Sequence, residues 1–275
     1  MFLGVRNLAT EDVSSALELS IAANWNQTSE DWNRILQLAP GGCRCIGDAG
    51  KVIATTTLLP YGTGLAWIGM VLTSNEHRRQ GLARKLLEDA MASAEQRGIR
   101  TLKLDATDEG RPLYESLGFV VEQRVERWGR NGDGLNSAKR NDSHPYPLSG
   151  ELCSQDAEAF GASRKELLGV LSGAGSCDAA PEGFVLSRPG RTARYLGPCV
   201  ARSETAAAHL IGAHLEANTS ESGWYWDLLP SNAAAVRWAE NLGFARRRVL
   251  WRMSRGERVE KNDAMVYAIA GFELG

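Results

Sequence analysis

The densest group of chemistry-bearing residues lies between Val71 and Leu87, where Arg78, Arg79, Gln80 and Gly81 lead directly into helical spacing. Leu82, Leu86 and Ala90 then share one stripe, with Ala83 and Leu87 beside it. A helix start leaves its first amides unpaired and carries the positive end of the dipole, so backbone alone can bind phosphate oxygens there. Gly81 has no Cβ to hold a pyrophosphate away from the main chain, and Arg78, Arg79 and Arg84 add charge-assisted hydrogen bonds. Cations at this end of a helix oppose its dipole and so call for an anion. A pyrophosphate-bearing ligand is the chemistry that suits this turn.

Other candidates are more dispersed. Tyr114, in a short helix, is a phenol able to pack or to donate a proton. Asp105 ends a strand, where a carboxylate either accepts a proton or caps the next turn. His77 precedes the arginines and reads as exposed; Glu30 and Asp31 read as dipole partners at a helix start. Trp25 sits in the polar turn Asn24-Trp25-Asn26-Gln27-Thr28 and suits a pocket lining better than Trp32, Trp67, Trp224 or Trp226, for which core packing is the commoner fate. Asp227, on a later strand, reaches a substrate only if two sheets meet at one cleft.

The elements that must position these groups alternate along the chain. Strand patterns cover Phe2 to Arg6, Cys43 to Gly47, Lys51 to Leu59, Leu65 to Thr73, Thr101 to Ala106 and Phe119 to Trp128. Helical patterns follow Thr10-Glu11-Asp12, cover Glu30 to Leu38, run from Leu82 to a stop at Gly98, and take in Pro112 to Leu117. Residues 131–150 read as a polar, Gly- and Pro-rich linker in which Tyr146 can pack back. Beyond it the grammar repeats: a hairpin about Pro189-Gly190, a helix over Ala206 to Leu215, a strand over Trp224 to Leu228 and a helix over Asn232 to Asn241. Leu117-Gly118-Phe119 recurs as Leu242-Gly243-Phe244, each after a helix and a strand bearing an aspartate, which points to tandem duplication. The expected class is α/β with mixed sheets, split as 1–130, a linker 131–150, and 151–275.

Composition sets the bounds. At 275 residues, 43% hydrophobic and 23% charged, the chain has material for two cores, and intrinsic disorder is excluded as its default. The net charge of −2 is shared between the halves, and neither is a basic nucleic-acid footprint. Arg246-Arg247-Arg248 with Arg252, Arg255 and Arg258 is the one basic cluster, read as a solvated edge strand or, more sharply, as a surface for an acidic partner. Five scattered cysteines form neither a disulfide framework nor a metal set, so no metal is expected. Without a signal-like start or a membrane-length apolar run, a cytoplasmic protein with no membrane partner is expected.

Arg78-Arg79-Gln80-Gly81-Leu82-Ala83 resembles the Arg/Gln-x-x-Gly-x-Gly/Ala motif of the GNAT superfamily of acyl-CoA-dependent N-acyltransferases, and Tyr114 to Phe119 resembles its later Tyr-x-x-Leu-Gly-Phe element. The resemblance implies two tandem GNAT-like folds, the second degenerate. It implies acetyl-CoA as acyl donor, with Val71, Leu72 and Thr73 along the pantetheine arm and Arg78, Arg79, Gln80, Gly81, Leu82, Ala83 and Arg84 around the pyrophosphate. It further implies a main-chain amide polarising the thioester, Tyr114 beside the sulfur, Asp105 as a candidate base, and direct transfer to an amine. In the second copy, Pro198 to Ala206 lacks Arg-x-x-Gly and carries Glu204, and Trp238 stands near the tyrosine's place, where it cannot protonate a thiolate. That copy is therefore expected not to bind coenzyme A but either to bury a face of the first domain or to shape an acceptor pocket, with Trp25 and Asp227 as candidate contacts for a small-molecule or peptide amine. A non-catalytic acyl-CoA sensor and an aminoacyl-tRNA-dependent transferase are the rival readings.

Overall fold

A computed structural model describes residues 4–132, 148–218 and 222–275. The first half contains β1 (Arg6–Asn7), α1 (Val13–Ala22), α2 (Ser29–Leu38), β2 (Cys43–Asp48), β3 (Lys51–Tyr61), β4 (Leu65–Thr73), α3 (Leu82–Gln96), β5 (Thr101–Ala106), α4 (Arg111–Ser116) and β6 (Val120–Arg130). The second contains α5 (Gly150–Phe160), α6 (Lys165–Gly173), β7 (Ser176–Ala180), β8 (Gly183–Arg188), β9 (Arg194–Ala201), α7 (Glu204–Ala217), β10 (Trp224–Leu228), α8 (Ala233–Asn241), β11 (Ala245–Gly256) and β12 (Val266–Ala268). From α1 to β6 and from α5 to β11 the order of helices and strands is the same, as a duplication requires. The sequence patterns did not resolve α5, α6, β7 or β12. Phe2 and Leu3 of the predicted first strand lie outside the described residues, as does most of the expected linker, Tyr146 included; the strand described there is Arg6–Asn7.

Local chemistry explains the elements around the cleft. Thr28 opens α2 reciprocally: its hydroxyl accepts the Asp31 N–H at 3.3 Å while the Asp31 carboxylate accepts the Thr28 N–H at 2.9 Å. α2 then buries Trp32 and Ile35, and α1 buries Ala16 and Leu19. Ala49 (φ 47°) and Gly50 (φ 81°) form the two-residue turn between β2 and β3, both left-handed as a tight hairpin requires.

All the strands join one sheet in the order β1-β2-β3-β4-β5-β11-β6-β10-β9-β8-β7, with β12 paired to β9. Among the described residues only β4·β5 and β9·β10 are parallel. The halves exchange strands: β11 lies between β5 and β6, and β6 lies between β11 and β10. The arginine-rich segment is therefore not an edge, contrary to the sequence reading. Two of its cations are tolerated in mid-sheet because acids face them: Arg252 holds both oxygens of Asp105 at 2.9 Å, and Arg246 meets Glu126 at 3.2 Å. β6 repeats the device, with Arg127 gripping both oxygens of Asp227 at 2.7 and 2.6 Å. In each case arginine and aspartate are direct cross-strand partners.

One face of the sheet carries a core shared by both halves, containing Trp32, Trp67, Phe160, Leu168 and Phe184. The opposite face carries separate cores, including a small one of Ile46, Ile53, Ala54, Leu82 and Leu86 at the start of α3 and two larger ones. One, under α3 and α4, contains Leu87, Leu104, Tyr114 and Met253; the other, under α7 and α8, contains Ile211, Trp226 and Ala235. Among the described residues no helix is long and apolar enough to cross a membrane.

Candidate active site

β4 and β5 begin as a parallel pair but match only Leu65↔Thr101, Ala66↔Leu102 and Trp67↔Lys103 before they diverge. β5 cannot follow β4, because its other side is laddered to β11 as far as Ala106. β4 is meanwhile bent by a bulge against β3, where the register slips between Thr57↔Gly69 and Thr55↔Leu72. Met70 takes φ 48° there, and its carbonyl accepts the Thr55 hydroxyl at 2.7 Å. This turns peptide groups near Met70 and Val71 out of the ladder and toward the gap. The gap opens into a cavity of about 650 Å³.

At one end of this cavity lies the arginine–glycine turn. Arg79 (φ 61°) and Gly81 (φ 78°) are both left-handed, and α3 begins with no side-chain cap. Consecutive amides in such a turn form a concave anion site. Lys85 donates to the Gly81 carbonyl at 3.0 Å, so the amides of Leu82, Ala83 and Arg84 precede the helical ladder and remain for an outside acceptor. Val71, Leu72, Thr73, Arg78, Arg79, Gly81, Leu82, Ala83 and Arg84 all line the cavity. Gln80 does not; its amide turns back to the Glu76 carbonyl at 3.3 Å. Arg84 donates to Ser116 at 2.6 Å, tying α3 to α4. His77 is held by Ser74 at 2.8 Å through Nδ1.

Tyr114 enters from the α4 side of the same gap. Its ring is edge-on to Phe119 with centroids 6.1 Å apart, and its hydroxyl has no hydrogen-bond partner among the described residues. Burial pushes the phenol's pKa above its ordinary value, so the proton stays on at neutral pH.

The far wall comes from three places. Trp25 and Gln27 come from the α1–α2 turn, Arg127 and Arg248 from β6 and β11, and Phe272 and Glu273 from the last segment of the chain. That segment is seated on β3 and β4: Trp67 of β4 donates to the Phe272 carbonyl at 2.8 Å and Tyr61 of β3 donates to the Leu274 carbonyl. A Cβ on Gly69 would lie 2.8 Å from the Glu273 carbonyl oxygen, so only glycine allows this close approach. The Glu273 carboxylate accepts from Gln27 at 3.0 Å and from Arg188 at 3.2 Å; burial raises its pKa and Arg188 opposes the rise. Asp105 lines the cavity with both oxygens held by Arg252. Asp227 does not line it and reaches it only through Arg127, whose guanidinium lies 4.6 Å over the Phe272 ring. Nothing in the sequence marked Phe272 or Glu273. Arg127 was traceable, because Phe119 and Phe244 are each followed eight residues on by an arginine, Arg127 and Arg252.

The second half has the same split and fills it. β9 and β10 pair only at Arg194↔Trp224, Tyr195↔Tyr225 and Leu196↔Trp226. Beyond that point β12 enters, pairing Val266↔Val200 and Ala268↔Cys199 with β9 while Ile269 donates to the Asp227 carbonyl of β10 at 2.9 Å. At the start of α7 the Ser203 hydroxyl accepts the Ala206 amide at 3.2 Å, and Glu204 is held by Arg237 at 2.9 Å. The space and at least one of the helix-start amides are thus already taken.

A chain of Asp178, His214 and Ser187 in this half has contacts of 2.6 and 2.7 Å, but Ser187 is 1% exposed and takes a bond from Arg194, so it is a core network without access. Among the described residues no group of three or more His, Cys, Asp or Glu side chains gathers as a metal set.

Comparisons with known proteins agree with this geometry. Residues 10–119 match the model of the acetyltransferase (GNAT) family, and residues 152–268 match a second acetyltransferase (GNAT) domain model. The chain is 28% identical over 221 residues to YitH, an uncharacterized N-acetyltransferase of Bacillus subtilis strain 168, spanning 74% of this chain and 75% of that one. In fold it is similar to a proposed acetyltransferase of Pyrococcus horikoshii, with a TM-score of 0.85 at 20% identity over 99% of this chain and 96% of that one. A GCN5-related N-acetyltransferase of Sphaerobacter thermophilus gives 0.64 at 14% identity over 94% and 98%. With the split sheet, the amide-lined turn and the repeated domain, the chain belongs to the GNAT family of acetyltransferases and is an acyltransferase built from two such domains in tandem.

Proposed function

We propose that the protein transfers an acetyl group from acetyl-CoA directly to the primary amine of a small-molecule or peptide acceptor, at the split between β4 and β5. The observation that carries this reading is one continuous cavity with an anion cradle at Gly81–Arg84, an unpartnered phenol at Tyr114 and a wall of mixed charge at Arg127, Arg248 and Glu273. The cradle fits a pyrophosphate, and the strand edge from Val71 to Thr73 suits the amide-bearing arm that follows it. An amide turned out at the β4 bulge supports the thioester oxygen as charge develops there. The amine forms its bond to the acyl carbon, the carbon–sulfur bond breaks, and Tyr114 supplies a proton to the departing thiolate. Glu273 is the better placed carboxylate to accept the amine's proton, since its two donors are a neutral amide, Gln27, and an arginine, Arg188, that also reaches Asp31, whereas both oxygens of Asp105 are locked in a two-point ion pair with Arg252. Asp105 is then a positioning group.

Calorimetric titration with acetyl-CoA tests the reading. Gly81→Glu is expected to weaken binding by roughly 100-fold, since it sets a carboxylate among the cradle amides and strains a left-handed backbone position. The space around Gly81 is open, so the substitution meets no neighbour that would disturb the fold. Absent binding by the wild type, or equal binding by the variant, would sink it.

A further inference from the structure

The charges on the acceptor wall balance except for one. Arg127 is neutralised by Asp227, Arg252 by Asp105, and Arg188 reaches Glu273 and Asp31 at 3.2 and 3.4 Å. Arg248 has no hydrogen bond or ion pair among the described residues, although it is half-buried and lines the cavity. It is also the direct cross-strand partner of Arg127. Like charges placed opposite each other destabilise a sheet, and a half-buried cation without a partner adds a desolvation cost. Burial and the neighbouring Arg127 both lower the pKa of Arg248, as expected for a cation that lacks a counter-charge; Asp227 pulls the other way, but its oxygens are already engaged.

The face on which Arg248 lies decides which ligand it serves. Arg248, Leu250 and Arg252 alternate onto one side of β11, and Arg252 lies 4.6 Å over Trp67 in the shared core. Met253 points the other way, into the core with Tyr114 and α3. Arg248 is therefore on the face of Trp25 and Phe272, across the sheet from the helix that starts at the phosphate cradle. A cofactor phosphate held at that cradle does not reach it.

We propose that the acceptor is an amine that also carries a carboxylate, and that Arg248 binds this carboxylate. A planar guanidinium accepts such a group through two parallel hydrogen bonds. Leu250, Trp25 and Phe272 supply apolar contacts between that anchor and Glu273, so an amino acid type of zwitterion is oriented with its amine toward the β4 bulge. The proposal rests on the acetyl-transfer reading for the fate of the amine, but the anchor exists without the cofactor.

The test uses matched pairs: phenylalanine, methionine, β-alanine and 4-aminobutanoate, each beside its primary amide. Binding is read by calorimetry with and without coenzyme A, and turnover by thiol release from acetyl-CoA. In at least one pair the carboxylate is expected to be favoured over its amide by roughly tenfold or more. Arg248→Gln brings that ratio close to one while leaving acetyl-CoA affinity unchanged, and Arg248→Lys keeps part of the preference. The proposal is overturned if no carboxylate out-binds its amide, if Arg248→Gln keeps the ratio, or if that variant loses acetyl-CoA in parallel. Failure of acetyl-CoA to bind strikes the transfer reading instead, and leaves the binding preference readable on the free protein.

Discussion

Tyr114→Phe is expected to lower kcat by about 10²- to 10³-fold while changing acetyl-CoA affinity by about twofold or less. The substitution removes one oxygen and leaves the ring, so the contact with Phe119 and the wall of the cavity persist. The lost oxygen is the one polar atom of α4 that faces the gap without a protein partner, and burial keeps its proton on across the neutral range. Without it the thiolate must depart unprotonated or wait for water, and the cost falls on the chemical step alone. Steady-state turnover beside calorimetric affinity separates the two effects. Equal turnover would remove the tyrosine from the chemistry and leave the cradle and the bulge to account for the rate.

The largest loss of stability is expected from Arg252→Met, at about 3–5 kcal/mol near neutral pH. The side chain of Asp105 is fully buried, and Arg252 is its only ion-pair partner among the described residues. Burial already raises the folded-state pKa of Asp105 and Arg252 opposes the rise; removal of the arginine strands the carboxylate in mid-sheet and lifts that pKa further above its value in the unfolded chain. The penalty is fully present well above that raised pKa. It shrinks as the pH falls through it, because the folded state then takes up a proton that the unfolded state does not yet hold. Urea denaturation of the variant and the wild type at two pH values therefore gives a gap that narrows with acid. A gap that is independent of pH would place the loss in packing over Trp67 instead. Arg252→Met with Asp105→Asn is expected to cost less than the two single losses combined, because neither partner is then left charged and alone.

The end of the cavity proposed for the cofactor could be placed from sequence because the residues that form it are local. A left-handed glycine, adjacent arginines and a helix start are contiguous in sequence, and the neighbouring strand and the Tyr114 helix follow within one unit of the fold. Of the ten residues assigned to that side, Gln80 alone turns away, since a position in a turn does not fix which way a side chain faces. The acceptor side was hidden because it is assembled across the duplication. Arg127 and Arg248 meet only through the strand exchange, and residues 272 and 273 arrive from the far end of the chain. The arginine-rich stretch misled for the same reason. Alternating cations on a strand suggest a solvated edge until the acids that oppose them, on β5 and β6, are known to be its neighbours.

β12 gives the last segment a property that neither cleft has alone. The strand is fixed by its ladder in the filled cleft of the second half, and the residues after it are seated by backbone carbonyls on Trp67 and Tyr61. Main-chain carbonyls fasten the strap to β3 and β4, and the Glu273 carboxylate adds side-chain bonds from Gln27 and Arg188. In architectural terms the two ends of the cavity are separable. The end proposed for the donor is built from one contiguous stretch, 71–84, while one side of the opposite wall is a short tract at 272 and 273 that comes from another part of the chain. The second half, whose own cleft is filled by β12, thereby lends its following residues as a wall to the cleft of the first.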